Sequence, residues 1–164
     1  MKVLFLDFDG VLNNWKYDNP WLGNCKLKDG YTDRDQFGFL FDTTCVQNLK
    51  TIIDATDAKI VISSSWRHLG LDKILVLWNE RKLPGEVIDI IPLNDSLTTG
   101  NYESLSRGDC IAEWLSQNPV EGYLIIDDTD DFLAVQKKYF VQTERDDGLT
   151  SFDVEIAVAI SQTA

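Results

Sequence analysis

The opening residues, MKVLFLDFDGVLNN (Met1 to Asn14), constrain the fold more than any other stretch. The apolar run Val3-Leu4-Phe5-Leu6 ends in two acids one residue apart, Asp7 and Asp9, followed by Gly10. A short apolar run closed by glycine reads as a strand buried on both faces of a parallel sheet. Open α/β sheets bind ligands beyond the carboxyl ends of their strands. Two carboxylates therefore stand where such a sheet does its chemistry. Asp and Gly also make ordinary acidic turns, so the reading depends on the rest of the chain.

Further strands are predicted at Lys59 to Ile62, Val87 to Ile91, Tyr123 to Ile126 and Tyr139 to Gln142, after a first over Lys2 to Phe8. Helical patterns separate them. Asp42 can cap a helix over Thr43 to Thr56 with Val46, Leu49 and Ile53 on one face. Leu71 to Arg81, Arg107 to Gln117, Phe132 to Lys138 and Phe152 to Ile160 also read as helices. Asn13 to Phe41, with Pro20, Gly23, Gly30 and Gly38, reads as loops or a hairpin, and Asn94 to Ser106 as a polar loop. This alternation predicts an α/β fold: a Rossmann-like three-layer α/β/α domain around a mainly parallel five-stranded sheet. The 164 residues suit one domain, 1–164.

Parallel strands joined by crossovers all end on the same sheet edge. Strand one brings Asp7 and Asp9 to that edge. The strand at 59–62 brings Ser63, Ser64, Ser65 and Arg67, and the strand at 123–126 brings Asp127, Asp128, Asp130 and Asp131. Carboxylates, hydroxyls and a guanidinium around one crevice suit phosphoryl transfer. One carboxylate can attack as a nucleophile, and another can protonate the leaving group and then activate water. The residues alone do not say which of Asp7 and Asp9 attacks. Carboxylates from two strands can hold Mg²⁺, which reverses a local field that would otherwise repel phosphate. Hydroxyls and a cation neutralise the transferring oxygens.

The formal net charge of −12 opposes general polyanion binding. Cys25, Cys45 and Cys110 are odd in number and lack CxxC spacing, so neither a disulfide framework nor a zinc site is indicated. No apolar run is long enough for a membrane helix, and Lys2 to Leu6 is too short for a signal core. A cytoplasmic protein with no membrane or stable protein partner is the expectation.

Asp7-Phe8-Asp9-Gly10-Val11-Leu12 resembles motif I (DxDGxL) of the haloacid dehalogenase (HAD) superfamily of phosphohydrolases. Ser63 or Ser64 resembles its motif II hydroxyl, Arg107 its motif III cation (more often Lys), and Asp127, Asp128 and Asp131 its motif IV acids. The four occur in the family's order across residues 1 to about 135. The resemblance implies that Asp7 is the nucleophile forming an aspartyl-phosphate. Asp9 becomes the acid/base, lending its carbonyl to the metal, and Gly10 lies in the phosphate-binding turn. Ser63 or Ser64 binds phosphate, Arg107 steadies nucleophile and phosphate, and Asp127 with Asp128 or Asp131 binds Mg²⁺. Lys137 and Lys138 compete with Arg107 but are explained by the polar face of a helix. Thr143 to Thr150 resembles the "TD…GLT" tail of small HAD domains, without an implied role.

Arg67 is open between a bidentate phosphate clamp and a surface ion pair. Trp66 reads as packing, His68 as incidental and the cysteines as inert. Neither 13–41 nor 68–106 is long enough for a large cap, so the cap is minimal and 13–41 is a flap or small insert over the site. Its Trp15, Tyr17, Trp21, Tyr31, Phe37, Phe39 and Phe41 can form a lid, a base-stacking platform or a self-packed loop.

The resulting expectation is a Mg²⁺-dependent phosphomonoesterase. Repair-type HAD domains carry a hydroxyl-then-arginine motif similar to Ser64-Ser65-Trp66-Arg67, which implies nucleotide or polynucleotide end phosphates. The net charge instead points to a small phosphorylated metabolite. A non-catalytic phospho-acceptor is the alternative from another class, opposed by Asp9 as a resident acid/base. A degenerate binding fold is a third, opposed by intact acids on both strands.

Overall fold

The architecture is taken from a computed structural model, which describes residues 1–14, 34–93 and 105–163. Five strands form one all-parallel sheet: β1 (Lys2–Leu6), β4 (Lys59–Ile62), β5 (Val87–Ile90), β6 (Gly122–Asp127) and β7 (Phe140–Gln142), in the order β5-β4-β1-β6-β7. A small antiparallel hairpin, β2 (Arg34–Asp35) and β3 (Gly38–Phe39), stands apart. The helices are α1 (Thr43–Thr56), α2 (Leu71–Glu80), α3 (Arg107–Gln117) and α4 (Ser151–Ser161).

Two-residue alternation fills both faces of the sheet. Leu4 and Leu6 of β1, Ile60 and Ile62 of β4, and Leu124 and Ile126 of β6 enter one apolar cluster with Leu49, Ile52, Ile74 and Leu77 from α1 and α2. Val3, Phe5, Val61 and Ile125 enter the other, with Ile111 and Trp114 from α3. This is the three-layer α/β/α arrangement. Strand order reverses at β1, flanked by β4 on one side and β6 on the other. A crevice therefore opens beyond Leu6, as at other topological switch points. Asp42 caps α1 through Thr44 N–H, at 2.7 Å.

Two expectations are corrected. Residues 132–136 are turns rather than a helix, followed by a short 3₁₀ turn at Lys137–Tyr139. The buried Gln136 side chain accepts from Leu133 N–H at 3.0 Å and donates to the Gly108 carbonyl at 2.9 Å. Phe132 turns into the α3-side cluster. The segment thus bonds the start of α3, where a Cβ on Gly108 would lie 2.7 Å from Leu133 N. The helical polar face invoked for Lys137 and Lys138 does not exist: Lys137 pairs with Asp130, and Lys138 lies over the Tyr139 ring.

Of the 13–41 segment, residues 13–14 and 34–41 are described. Phe37 and Phe41 pack against the main cluster, and the hairpin is present. Trp15, Tyr17, Trp21, Cys25 and Tyr31, like most of the 94–106 loop, lie outside the described residues. The hairpin is tied to α2 by a bidentate pair: Arg81 Nε and Nη2 donate to Asp35 Oδ2 and Oδ1 at 2.8 and 2.9 Å. Among the described residues, no helix is long and apolar enough to cross a membrane. Burial pushes the Cys45 thiol up to about 11, and Cys110 is buried too, in line with inert thiols.

Phe8 is fully buried between the two motif acids, against Phe41, Trp66 and Trp78. Phe8→Ala is expected to cost about 3–5 kcal/mol of unfolding free energy, read by denaturant titration. The Arg81 hydrogen bonds hold Asp35 below its ordinary pKa. A lowered folded-state pKa adds stability above the unfolded-state value, and that stability is lost as pH falls through the folded value. Asp35→Asn should therefore lower Tm at neutral pH, and its deficit against wild type should shrink under acid. A deficit unchanged by acid would contradict this pairing.

Candidate active site

Strand β1 delivers Asp7 to the crevice at 4% exposure. Its N–H donates to the Ile126 carbonyl at 3.1 Å, extending the β1–β6 pairing by one residue. Its Oδ1 accepts from Phe8 N–H at 2.7 Å, leaving Oδ2 to the crevice side, where Arg107 Nη1 donates to it at 2.8 Å. The same Nη1 also donates to Oδ2 of Asp127, the fully buried last residue of β6. Oδ1 of Asp127 is held by the backbone N–H and hydroxyl of Thr129 at 2.9 and 2.8 Å.

Arg107 reaches this position because it opens α3. Ser106 caps the helix in a reciprocal capping box with Asp109. Asp131 clamps the same end, accepting from Arg107 N–H through Oδ2 at 3.0 Å and from Gly108 N–H through its carbonyl at 2.9 Å. Asp131 therefore holds the helix start.

Carboxylate oxygens of Asp7, Asp127 and Asp128 all lie within 4.8 Å of one another. Arg107 pairs with two of these acids, Asp7 and Asp127, and the crowding shows in the pKa values of Asp127 and Asp128. Burial and then the Asp7 charge push Asp127 up to about 7, against the opposing pull of Arg107 and Thr129. The same two causes raise Asp128, offset in part by Arg145 and Arg107. Burial alone would lower Arg107, but Asp7 and Asp127 outweigh it and hold the guanidinium above its ordinary value. An all-oxygen donor set with excess negative charge fits a hard divalent cation.

Gly10 makes this proximity possible. Its φ is +76°, and a Cβ there would lie 2.5 Å from the Asp128 carboxyl. The turn is stapled by Thr143, whose hydroxyl donates to the Gly10 carbonyl at 2.7 Å. Leu149 N–H donates to the Val11 carbonyl at 2.9 Å, so both ends of the Thr143–Thr150 tail are fastened to the turn after β1.

The three serines separate by environment. Ser63 N–H donates to the Leu6 carbonyl at 3.0 Å, which sets Ser63 beside Asp7 across the β1–β4 pair. Its hydroxyl is buried and has no hydrogen-bond partner among the described residues. Ser64 instead caps the 3₁₀ turn Ser65–Leu69, accepting from Trp66 N–H at 3.3 Å. Ser63 is thus the hydroxyl available to a ligand. Arg67 is 1% exposed. Its Nη1 donates to the carbonyls of Ser63 and Ser64 at 3.1 and 2.9 Å, fastening the loop from below. Arg67 is thus buried rather than on the surface, and that nitrogen is engaged by the loop's own carbonyls. His68 is exposed against the Ser65 carbonyl.

Asp9 lies on the exposed side of the turn. Its Oδ1 accepts from Asn13 Nδ2 at 3.2 Å and its Oδ2 from Trp66 Nε1 at 2.9 Å. Packing is therefore only half the role of Trp66. Its place beyond a strand end, on the same edge as Asp9, was the available sequence signal. Asn13 and Thr129 carried none beyond lying next to motif acids.

No curated protein and no solved structure matches the chain significantly. One family model does, over residues 3–154, and it spans the three strand-end clusters and the Arg107 helix start described above. The chain belongs to the family described as the HAD domain in Swiss Army Knife RNA repair proteins.

Proposed function

We propose that the Asp7 crevice hydrolyses phosphate monoesters through an aspartyl-phosphate, with Mg²⁺ held by Asp7, Asp127 and Asp128. The observation that carries this reading is the Arg107 guanidinium bound to Asp7 Oδ2 in a crevice that also presents the partnerless Ser63 hydroxyl. Asp7, buried beside a cation, is the nucleophile. Asp9, exposed at the mouth, is the acid/base that the leaving group and then water can reach. Arg107 aligns the attacking oxygen and offsets charge on the phosphoryl group, and Ser63 donates to a phosphoryl oxygen. Mg²⁺, when bound, supplies positive charge that lets an anionic substrate approach three carboxylates. Asp9 would add only its backbone carbonyl to that ion.

The second motif IV acid is assigned to Asp128. Asp131 is set aside as a ligand because its Oδ2 already accepts from the start of α3. Arg67 and Ser64 are assigned to holding the loop under Ser63. One domain, 1–164, with a minimal cap leaves room for a bulky substrate. The family's description favours a phosphorylated RNA end. The net charge of −12 favours a small phosphorylated metabolite or nucleotide as the second reading.

Turnover of p-nitrophenyl phosphate with Mg²⁺ tests the chemistry. Asp7→Asn is expected to lower it by ~1,000-fold or more, and EDTA to abolish it. A lasting Mg²⁺-dependent phospho-adduct on Asp7 without turnover would instead support a phospho-acceptor. Competition between 3′- and 5′-phosphorylated RNA and mononucleotides then ranks the two substrate readings. In calorimetry, Asp128→Asn should weaken Mg²⁺ binding by at least the roughly 10-fold that even outer-shell partners contribute. Asp131→Asn should leave affinity near wild type while lowering Tm; the reverse pattern would move the ligand assignment to Asp131.

A further inference from the structure

Of Asp7, Asp9, Asp127 and Asp128, Asp9 alone stands exposed. An exposed aspartate samples several rotamers unless something holds it. Trp66 holds one oxygen and Asn13 the other. Trp66 is itself fixed. Its ring stands edge-on to Phe8 at 5.7 Å and tilted against Phe41 at 5.9 Å between centroids. The Arg81 guanidinium covers Phe41 at 4.5 Å and lies 5.9 Å from the Trp66 ring. Asp35 in the hairpin holds that guanidinium in turn. A phenylalanine at 66 would keep the ring packing but present no N–H to Asp9.

We propose that Trp66 is a positioning residue, whose indole N–H fixes the Asp9 carboxyl for proton transfer to the leaving oxygen. This rests on the reading of Asp9 as the acid. In that step the Asp7 oxygen–phosphorus bond forms as the bond from phosphorus to the leaving oxygen breaks. The leaving oxygen keeps the electron pair and takes the Asp9 proton. The indole nitrogen can only donate, whereas an asparagine amide can donate or accept. Trp66 therefore fixes Asp9 Oδ2 as an accepting oxygen. Asn13 Nδ2 donates to Oδ1, and the Asn13 amide oxygen is buried without a partner among the described residues. Fixing the carboxyl before substrate arrives removes an orientational cost from the transition state.

Two measurements test this. In ¹H–¹⁵N spectra of the indole groups, the Trp66 signal is identified by its loss in Trp66→Phe. It is expected downfield in the wild type and shifted upfield in Asp9→Ala; an unmoved signal would overturn the hydrogen bond whether or not the protein turns over. In kinetics, kcat/KM covers the steps through release of the leaving group. Trp66→Phe should lower it ~10-fold or more for an alkyl phosphate, which needs an acid, and little for p-nitrophenyl phosphate, which does not. An equal fall on both substrates would mean a packing role only and sink the proposal. Asp9→Asn is the control: if it shows the leaving-group dependence and Trp66→Phe does not, Trp66 is at fault. If neither shows it, Asp9 is not the acid and the proposal falls with that reading.

Discussion

One guanidinium holds the site together. Arg107 Nη1 donates at once to Asp7 from β1 and Asp127 from β6, bridging the carboxyl ends of two adjacent parallel strands. Buried carboxylates side by side repel and desolvate at high cost. The cation offsets part of that cost, and the raised pKa of Asp127 is what remains. Much of the surrounding structure serves to place this side chain: the Ser106–Asp109 capping box, the Asp131 clamp and the Gln136 turn all fix the start of α3.

The other constraint is crowding around the first turn. Phe8 points into the core between two acids that point elsewhere, so Asp7 and Asp9 occupy different environments two residues apart. Asp7 is enclosed with a cation. Asp9 is open to the mouth and held by side chains on both its oxygens. Environments that differ this sharply can give two carboxylates different chemistry without any difference in residue type. Gly10 then admits the Asp128 carboxyl where no side chain fits.

Much of this was legible in the sequence, because apolar runs ending in acids or hydroxyls report both strand and edge. All five sheet strands and α1 to α4 fall within a residue or two of their predicted spans. The segment 132–138 misled because Val135 to Lys138 has helical composition, while the Gln136 amide bonds the Gly108 carbonyl at the start of α3, a long-range partner that no local pattern encodes. The choice between Ser63 and Ser64 depended on which hydroxyl the 3₁₀ turn uses. The choice between Asp128 and Asp131 depended on which acid the helix uses; neither is a property of spacing. Arg67 shows the same limit: position after a hydroxyl run leaves it open between a phosphate clamp and a surface ion pair, and does not reveal that its Nη1 binds the loop's own carbonyls.

The central claim is that Asp7, and not Asp9, accepts the phosphoryl group. A crystal structure with Mg²⁺ and beryllium fluoride, a mimic of an acyl phosphate, tests it most directly. The account predicts the fluoroberyllate bonded to Asp7 Oδ, within hydrogen-bond reach of the Ser63 hydroxyl. Fluoroberyllate on Asp9, or none at saturating Mg²⁺, would contradict it.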